Sequence, residues 1–457
     1  MNTKKCSIEM TSGSLWKNIL KFSLPLMMTQ VLEVLFNLSD VAIAGKFADY
    51  IALGAVGSTT LLVTLFTGFL IGMGSGVNVR AAHRLGARDY NGVRMTVHSS
   101  LLICGVTGVL LGLICPILAE PMLVLLKTKS ELLPEAVIYL RIYSLGMPAM
   151  AVYNFGSGVL SACGETKRPL IYLSIAGVLN VGLNLFFVIC CGMAAAGVAV
   201  ASVIAQYVSA VMIVVHLVRR KDCCALRPSR KYISRKACVD VLVLGIPAGI
   251  QNAVFAIANL FVQTGVNHFD AVVVSGNSAA ANADAIIFNV QAALHTACAS
   301  FISRNRGAGN YSRVMKSYVV SLTYSFAAGA ILGGLLMLFG RGFLSLFAND
   351  AAVIDAGMER IYIMGWSYSI AAFMDCTIAA ARGIGKTIIP TVTVIMGSCV
   401  FRVVWVYTIF AHFQTITSLY LLYSFSWAIT AIAEIVYFFV VSRNERQCCQ
   451  SQELLSA

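Results

Sequence analysis

Pro25–Gly45 reads PLMMTQVLEVLFNLSDVAIAG. It lies inside a long apolar segment yet carries Gln30, Glu33, Asn37 and Asp40. At about 100° per residue, these four positions share one face of a helix. Two carboxyl groups two turns apart on an apolar helix are costly unless that face looks into protein or water. An ionisable residue at membrane depth is therefore a functional candidate by default. Asp40 reads either as a coupling or substrate-holding group or as a cap at the end of the span. Glu33 either shares that task or lies near a mouth.

The surrounding chain agrees with a membrane setting. Of 457 residues, 58% are hydrophobic and only 12% charged, about half the charged fraction of an ordinary soluble domain. This predicts a polytopic, all-α membrane protein. The net charge of +13 falls in short loops between spans, with no basic domain and no nucleic-acid motif, so no nucleic-acid partner is expected. Many of the fourteen cysteines stand singly in apolar runs, and the pairs Cys190–Cys191, Cys223–Cys224 and Cys448–Cys449 lack metal-site spacing. Reduced thiols and no metal follow. The MNTKK start and the polar dozen after it do not read as a signal peptide.

Twelve hydrophobic segments are long enough to cross a bilayer. They are roughly 18–44, 52–79, 94–118, 134–162, 169–191, 195–218, 237–267, 276–303, 314–339, 354–381, 388–411 and 417–442. The eighth is the most polar, rich in Ala, Asn and Ser. Lys and Arg set the orientation: 26 of the 33 lie on one side of the alternating loops, from Lys4 and Lys5 to Arg443 and Arg446. Positive loops stay cytoplasmic, so both termini are predicted inside.

The second half echoes the first at a shift of about 222. Leu24–Pro25 answers Ile246–Pro247, and Asn37 answers Asn259. At 221, Gly86–Ala87 answers Gly307–Ala308, while Gly164, Thr166 and Pro169 answer Gly385, Thr387 and Pro390. The expected organisation is residues 1–218 as one six-helix bundle, 219–236 as a basic cytoplasmic linker, 237–442 as a second bundle and 443–457 as a tail. Six spans per half is an even number, which relates the halves by an axis along the bilayer normal and makes a carrier of this chain rather than a charge-ringed pore.

Further polar stripes follow. The seventh span carries Asn252, Asn259, Gln263 and Asn267 on one face, the eighth Asn277, Asp284, Gln291 and His295, and the fifth Asn180 and Asn184 one turn apart. Such groups either line a hydrated cavity or bond neighbouring helices. Tyr139, Met150, Tyr153 and Asn154 add soft and polar cavity candidates to the fourth span, or else make ordinary helix contacts. Asp375, Arg402 and Glu434 complete the buried charges; Arg402 is read as a structural ion pair with either Asp375 or Glu434. Gly383–Thr387 imitates a phosphate loop, but its repeat partner at Gly164–Lys167 marks it as a turn. Gly68, Gly72 and Gly76 have the spacing of close helix packing. No nucleophile–base pair stands at catalytic spacing, so no enzyme is expected.

In this order and spacing, the chain resembles the multidrug and toxic compound extrusion (MATE) transporters of bacterial type, over nearly its whole length. The resemblance rests on Phe22–Pro25, Asn37 with Asp40 and Gly45, Ala52–Gly57, Gly72–Gly76, Gly86–Arg88, Gly164–Pro169, Arg382–Gly385 and Phe401–Trp405. It implies two six-helix bundles meeting in a V, residence in a bacterial plasma (inner) membrane, and export of amphipathic, often cationic, drug-like molecules by alternating access. No cofactor beyond a coupling H⁺ or Na⁺ is implied, and a monomer is expected. Asp40 stands where the family keeps a first-span aspartate tied to coupling, and Asn180 matches a polar partner in the fifth span. Asn184 departs from the pattern, since many relatives have an aspartate there; Glu33 then supplies the missing charge. The seventh span lacks a glutamate that some relatives carry, which leaves Asp284 and Asp375 as the acids of the second half. A lipid or lipid-linked oligosaccharide flippase on the same fold is the alternative, though such sites need several cationic groups and Arg402 is the one clear midspan base.

Overall fold

The computed structural model describes residues 8–227 and 229–456, with residues 448–456 as backbone only. Lys4, Lys5 and the side chains of Cys448 and Cys449 lie outside the described residues. Everything described is helix, turn or loop, with no strand among the described residues. The helices are α1 Leu15–Phe47, α2 Tyr50–Gly86, α3 Tyr90–Leu125, α4 Leu133–Ser144, α5 Met147–Ala162, α6 Lys167–Leu185, α7 Ala195–Arg219 and α8 Arg235–Val266. They continue with α9 Ala271–Gly307, α10 Tyr311–Leu344, α11 Ala351–Gly383, α12 Ile388–Val394, α13 Phe401–Trp405, α14 Ala411–Phe413 and α15 Ile416–Ser456. Each predicted span lies on one of these helices or on a broken set of them. The fourth is the pair α4 and α5, bent by 46° at Gly146, with Pro148 in the first turn of α5, where a missing N–H costs nothing. The eleventh is α12 to α14, joined by π-helical turns at Ile395–Val400 and Val406–Phe410.

Ten spans are long and apolar enough to cross a membrane, eleven with the bent pair. The remaining one, α11, is not among them; it carries Glu359, Arg360 and Asp375. The eighth predicted span, α9, passes despite its polar residues. This is a multi-pass membrane protein.

The internal repeat reappears in backbone geometry. Arg88 and Gly309 both take positive φ (56° and 72°), as do Gly164 and Gly385 (80° and 77°). Each pair stands 221 residues apart and ends a helix with a left-handed residue. The caps that follow also match: the Asp89 side chain accepts from Gly92 N, and the Asn310 side chain from Arg313 N. The Gly92 N–H, helped by Arg84, holds the Asp89 carboxyl below the usual carboxylate range. Gly383–Thr387 is thus a helix-ending turn.

The chain divides into two compact units: residues 8 and 9 with Leu24–Ala253, and Met10–Ser23 with Val254 onward. The first helix of each half, α1 or α8, therefore begins in one unit and ends in the other. In the first unit α2 is central, packed by α3, α4, α5 and α7. Its glycines allow backbone contact: a methyl group at Gly72 would lie 2.3 Å from Gly249 N, and one at Gly76 2.7 Å from Gly245 N. In the second unit α11 holds the centre against α9, α10 and α15, where a methyl group on Gly333 would lie 2.3 Å from the Gly365 carbonyl oxygen.

This packing gives a first prediction. Gly72→Val forces two backbones apart and is expected to destabilise the protein by about 1–3 kcal/mol, whereas Gly57→Ala, with nothing within 4 Å, leaves it unchanged. Thermal unfolding monitored by size-exclusion chromatography checks both. Equal melting of the two variants would contradict the packing.

Candidate functional site

Asp40 is buried in the first unit, with 9% of its surface exposed. Its Oδ1 accepts from Asn184 Nδ2 at 2.5 Å and its Oδ2 from Ser202 Oγ at 3.1 Å. Asn184 Nδ2 also reaches Asn180 Oδ1 at 3.3 Å, and Asn180 Nδ2 donates to Ser202 Oγ at 3.2 Å. Three helices, α1, α6 and α7, thus meet on one carboxylate. Asn180 and Asn184, one turn apart on α6, point the same way, and α6 then widens into a π-helical turn at Phe186–Cys190. Such turns recur at functional positions because they displace side chains from the regular ladder. Tyr139 and Tyr143 of α4 stack at 5.8 Å and 19°, close enough to feel the Asp40 charge.

An ionised carboxylate offers about four lone-pair positions, and two of those on Asp40 are taken here. Asn184 Oδ1 is buried without a hydrogen-bond partner. An orphaned buried acceptor costs roughly 1–3 kcal/mol, and a proton shared from Asp40 or a small cation among these oxygens would relieve it. Ser202 was not singled out from sequence. Its signal is the polar set Ser202, Gln206 and Ser209 on one face of the otherwise apolar α7.

The remaining candidates separate. Glu33 is partly buried, near Tyr143 and Tyr153, while Asn37 is exposed and outside the Asp40 network. Asn154 donates to Met150 O in its own helix at 3.0 Å. In the second unit Asp284 is held by Arg360 and by the Tyr368 hydroxyl, and Arg360 Nη1 donates to Asn277 Oδ1 at 2.6 Å. Gln263 Nε2 donates to Asn267 Oδ1 at 2.9 Å, with its own Oε1 near Asn277. Two readings are corrected here. Gln291 is fully buried and bridges the Ser325 and Tyr368 carbonyls (3.3 and 3.0 Å), so it ties helices together rather than lining a cavity. Arg402 pairs with neither Asp375 nor Glu434 among the described residues; Nη1 donates to Asn259 Oδ1 at 2.9 Å, and the guanidinium sits over Tyr423, Phe255 and Trp427. Stacking and an amide replace the expected carboxylate. Asp375 lies partly buried within reach of the Arg382 and Arg402 charges. Glu434 is fully buried, its carboxylate oxygens without hydrogen-bond partners and Arg382 the nearby charge.

Known proteins resemble this chain along most of its length. The chain is 27% identical over 360 residues to the probable multidrug resistance protein YpnP of Bacillus subtilis, spanning 79% of this chain and 80% of YpnP. It is 24% identical over 419 residues to the probable multidrug resistance protein NorM of Thermotoga maritima, spanning 87% and 86%. The backbone matches a MOP-superfamily transporter from Pyrococcus furiosus at a TM-score of 0.90, with 21% identity, 97% of this chain and 99% of that one; this likeness shows the fold. The MatE family model matches residues 25–186 and again 247–408, two stretches offset by the repeat shift of 222. The chain belongs to the MatE family.

Proposed function

We propose that this protein exports amphipathic, often cationic, drug-like compounds in exchange for H⁺ or Na⁺ by alternating access, with Asp40 as the coupling carboxylate. The observation that carries the reading is the buried Asp40 beside the orphaned Asn184 Oδ1, a site one small cation short of satisfaction. Asn180, Asn184 and Ser202 hold the carboxylate in place. Glu33 serves as an auxiliary acid towards the same helix face. The named roles of YpnP and NorM in multidrug resistance support efflux over lipid flipping, and the Arg360 charge is answered by Asp284, so it does not join Arg402 as a second free cation for a phosphate. Both termini face the cytoplasm, and residues 1–218 and 237–442 act as the two halves of a monomer.

Charge alternation drives the cycle. Ionised Asp40 holds a cationic substrate taken from the inner side. A proton or Na⁺ arriving from outside then neutralises the carboxylate, and the substrate loses its partner and leaves. The test is uptake of a cationic dye into inside-out vesicles with ΔpH and ΔNa⁺ imposed separately. Uptake that follows one gradient and collapses with its ionophore is expected. Uptake indifferent to both gradients overturns the reading.

A further inference from the structure

We propose that Arg402 and its aromatic frame form a binding site, wholly within the second unit, for an organic anion: a carboxylate carried on an aromatic ring. Within the two MatE matches a shift of 222 sets Asp40 against Val262, Asn180 against Arg402 and Asn184 against Val406, and the shift of 221 that aligns Pro169 with Pro390 sets Asn180 one residue earlier, against Phe401. The carboxylate of the first half thus has an apolar counterpart in the second, where a guanidinium among neutral acceptors stands at or beside the place of its amide neighbour Asn180.

Arg402 is 2% exposed. Nη1 donates to Asn259 at 2.9 Å and Nε to Ser426 Oγ at 3.4 Å, while Nη2 has no hydrogen bond among the described residues. A planar guanidinium with an unused edge suits a carboxylate, which takes two parallel N–H bonds. The carboxylates around it do not fill that edge: Asp284 is engaged by Arg360 and Tyr368, and Asp375 feels the Arg402 charge without bonding it. Tyr423 at 4.7 Å, Phe255 at 5.6 Å and Trp427 at 5.7 Å supply ring faces and edges for an apolar body. Asn259, bonded to the same guanidinium, is exposed, so the charge lies one side chain from open surroundings. π-helical turns border Arg402 on both sides, as one follows Asn184 in the first half.

The test is calorimetric titration of the purified full chain in zwitterionic nanodiscs with 2-naphthoate and with the neutral 2-naphthalenemethanol. No gradient is applied, so the result is independent of coupling through Asp40. The acid is expected to bind about tenfold more tightly than the alcohol, the margin of a charge-assisted pair over a neutral one. Arg402→Met should bring the ratio to about one. Asn259→Asp should remove naphthoate binding by setting an acid against the guanidinium, and it decides the matter if Arg402→Met does not fold. Equal binding of acid and alcohol by the unaltered protein, or a preference that survives Asn259→Asp, overturns the proposal.

Discussion

Asp40→Asn is expected to lower gradient-driven dye uptake into inside-out vesicles at least about tenfold while the protein remains folded. One charge crossing 100 mV carries about 2.3 kcal/mol, worth about 50-fold in accumulation, and an amide at this position can no longer alternate between charged and neutral. The substitution is nearly isosteric, and the local bonding survives it. The new Oδ1 accepts from Asn184 or Ser202 as the carboxylate does, and turning over the Asn184 amide would offer its unpartnered Oδ1 to the new Nδ2. The variant therefore imitates the ion-loaded site, and its melting temperature should equal or exceed that of the unaltered protein. Loss of uptake together with a lowered melting temperature would point to misfolding instead. Unchanged uptake would remove Asp40 from the mechanism.

Ser202→Ala separates holding from coupling. It removes one donor from the carboxylate and one acceptor from Asn180 but leaves the charge. A several-fold fall in dye uptake with the same dependence on the driving gradient is expected, and loss of gradient dependence would assign Ser202 a coupling role of its own.

The parts of this molecule legible in the sequence are those set by one segment at a time. Span length, loop charge and the repeat depend on local composition and order, and the positive-φ residues at Arg88 and Gly309 and at Gly164 and Gly385 show the repeat again in the backbone. Asp40, Asn180 and Asn184 were readable because each is polar where its neighbours are apolar and because one turn separates the two amides. What stayed hidden is how helices pair. Ser202 joins the site from 162 residues away, and the polar face it shares with Gln206 and Ser209 does not tell which helix that face meets. Arg360 lies two turns into α11, and nothing in its own segment says that it is 5% exposed and meets Asp284, 76 residues distant. Arg402 was expected to seek an acid, since a lone charge in apolar surroundings ordinarily does. Three rings converging from α8 and α15 could not be foreseen from either helix alone.

The Asp284–Arg360 pair yields the other large effect. Both side chains are nearly buried, at 12% and 6% exposure. Arg360 also bonds Asn277 and lies over Tyr420 and Tyr423 at 5.2 and 5.6 Å. Removing one partner of a buried pair strands the other charge, so Asp284→Ala is expected to cost about 3–5 kcal/mol. Removing both with apolar residues of similar volume strands neither. The double variant Asp284→Leu with Arg360→Met should therefore melt close to the unaltered protein and well above the single variant. Tyr368→Phe, which deletes only the hydroxyl on Asp284, should cost about 1 kcal/mol. Thermal unfolding of the four proteins, each paired with the dye assay, divides the two roles open to Asp284. A double variant that folds and still transports makes the pair a structural clasp between α9 and α11. One that folds but no longer transports makes Asp284 part of the transport path, and a single variant as stable as the unaltered protein would mean that the buried pair does not hold in the membrane.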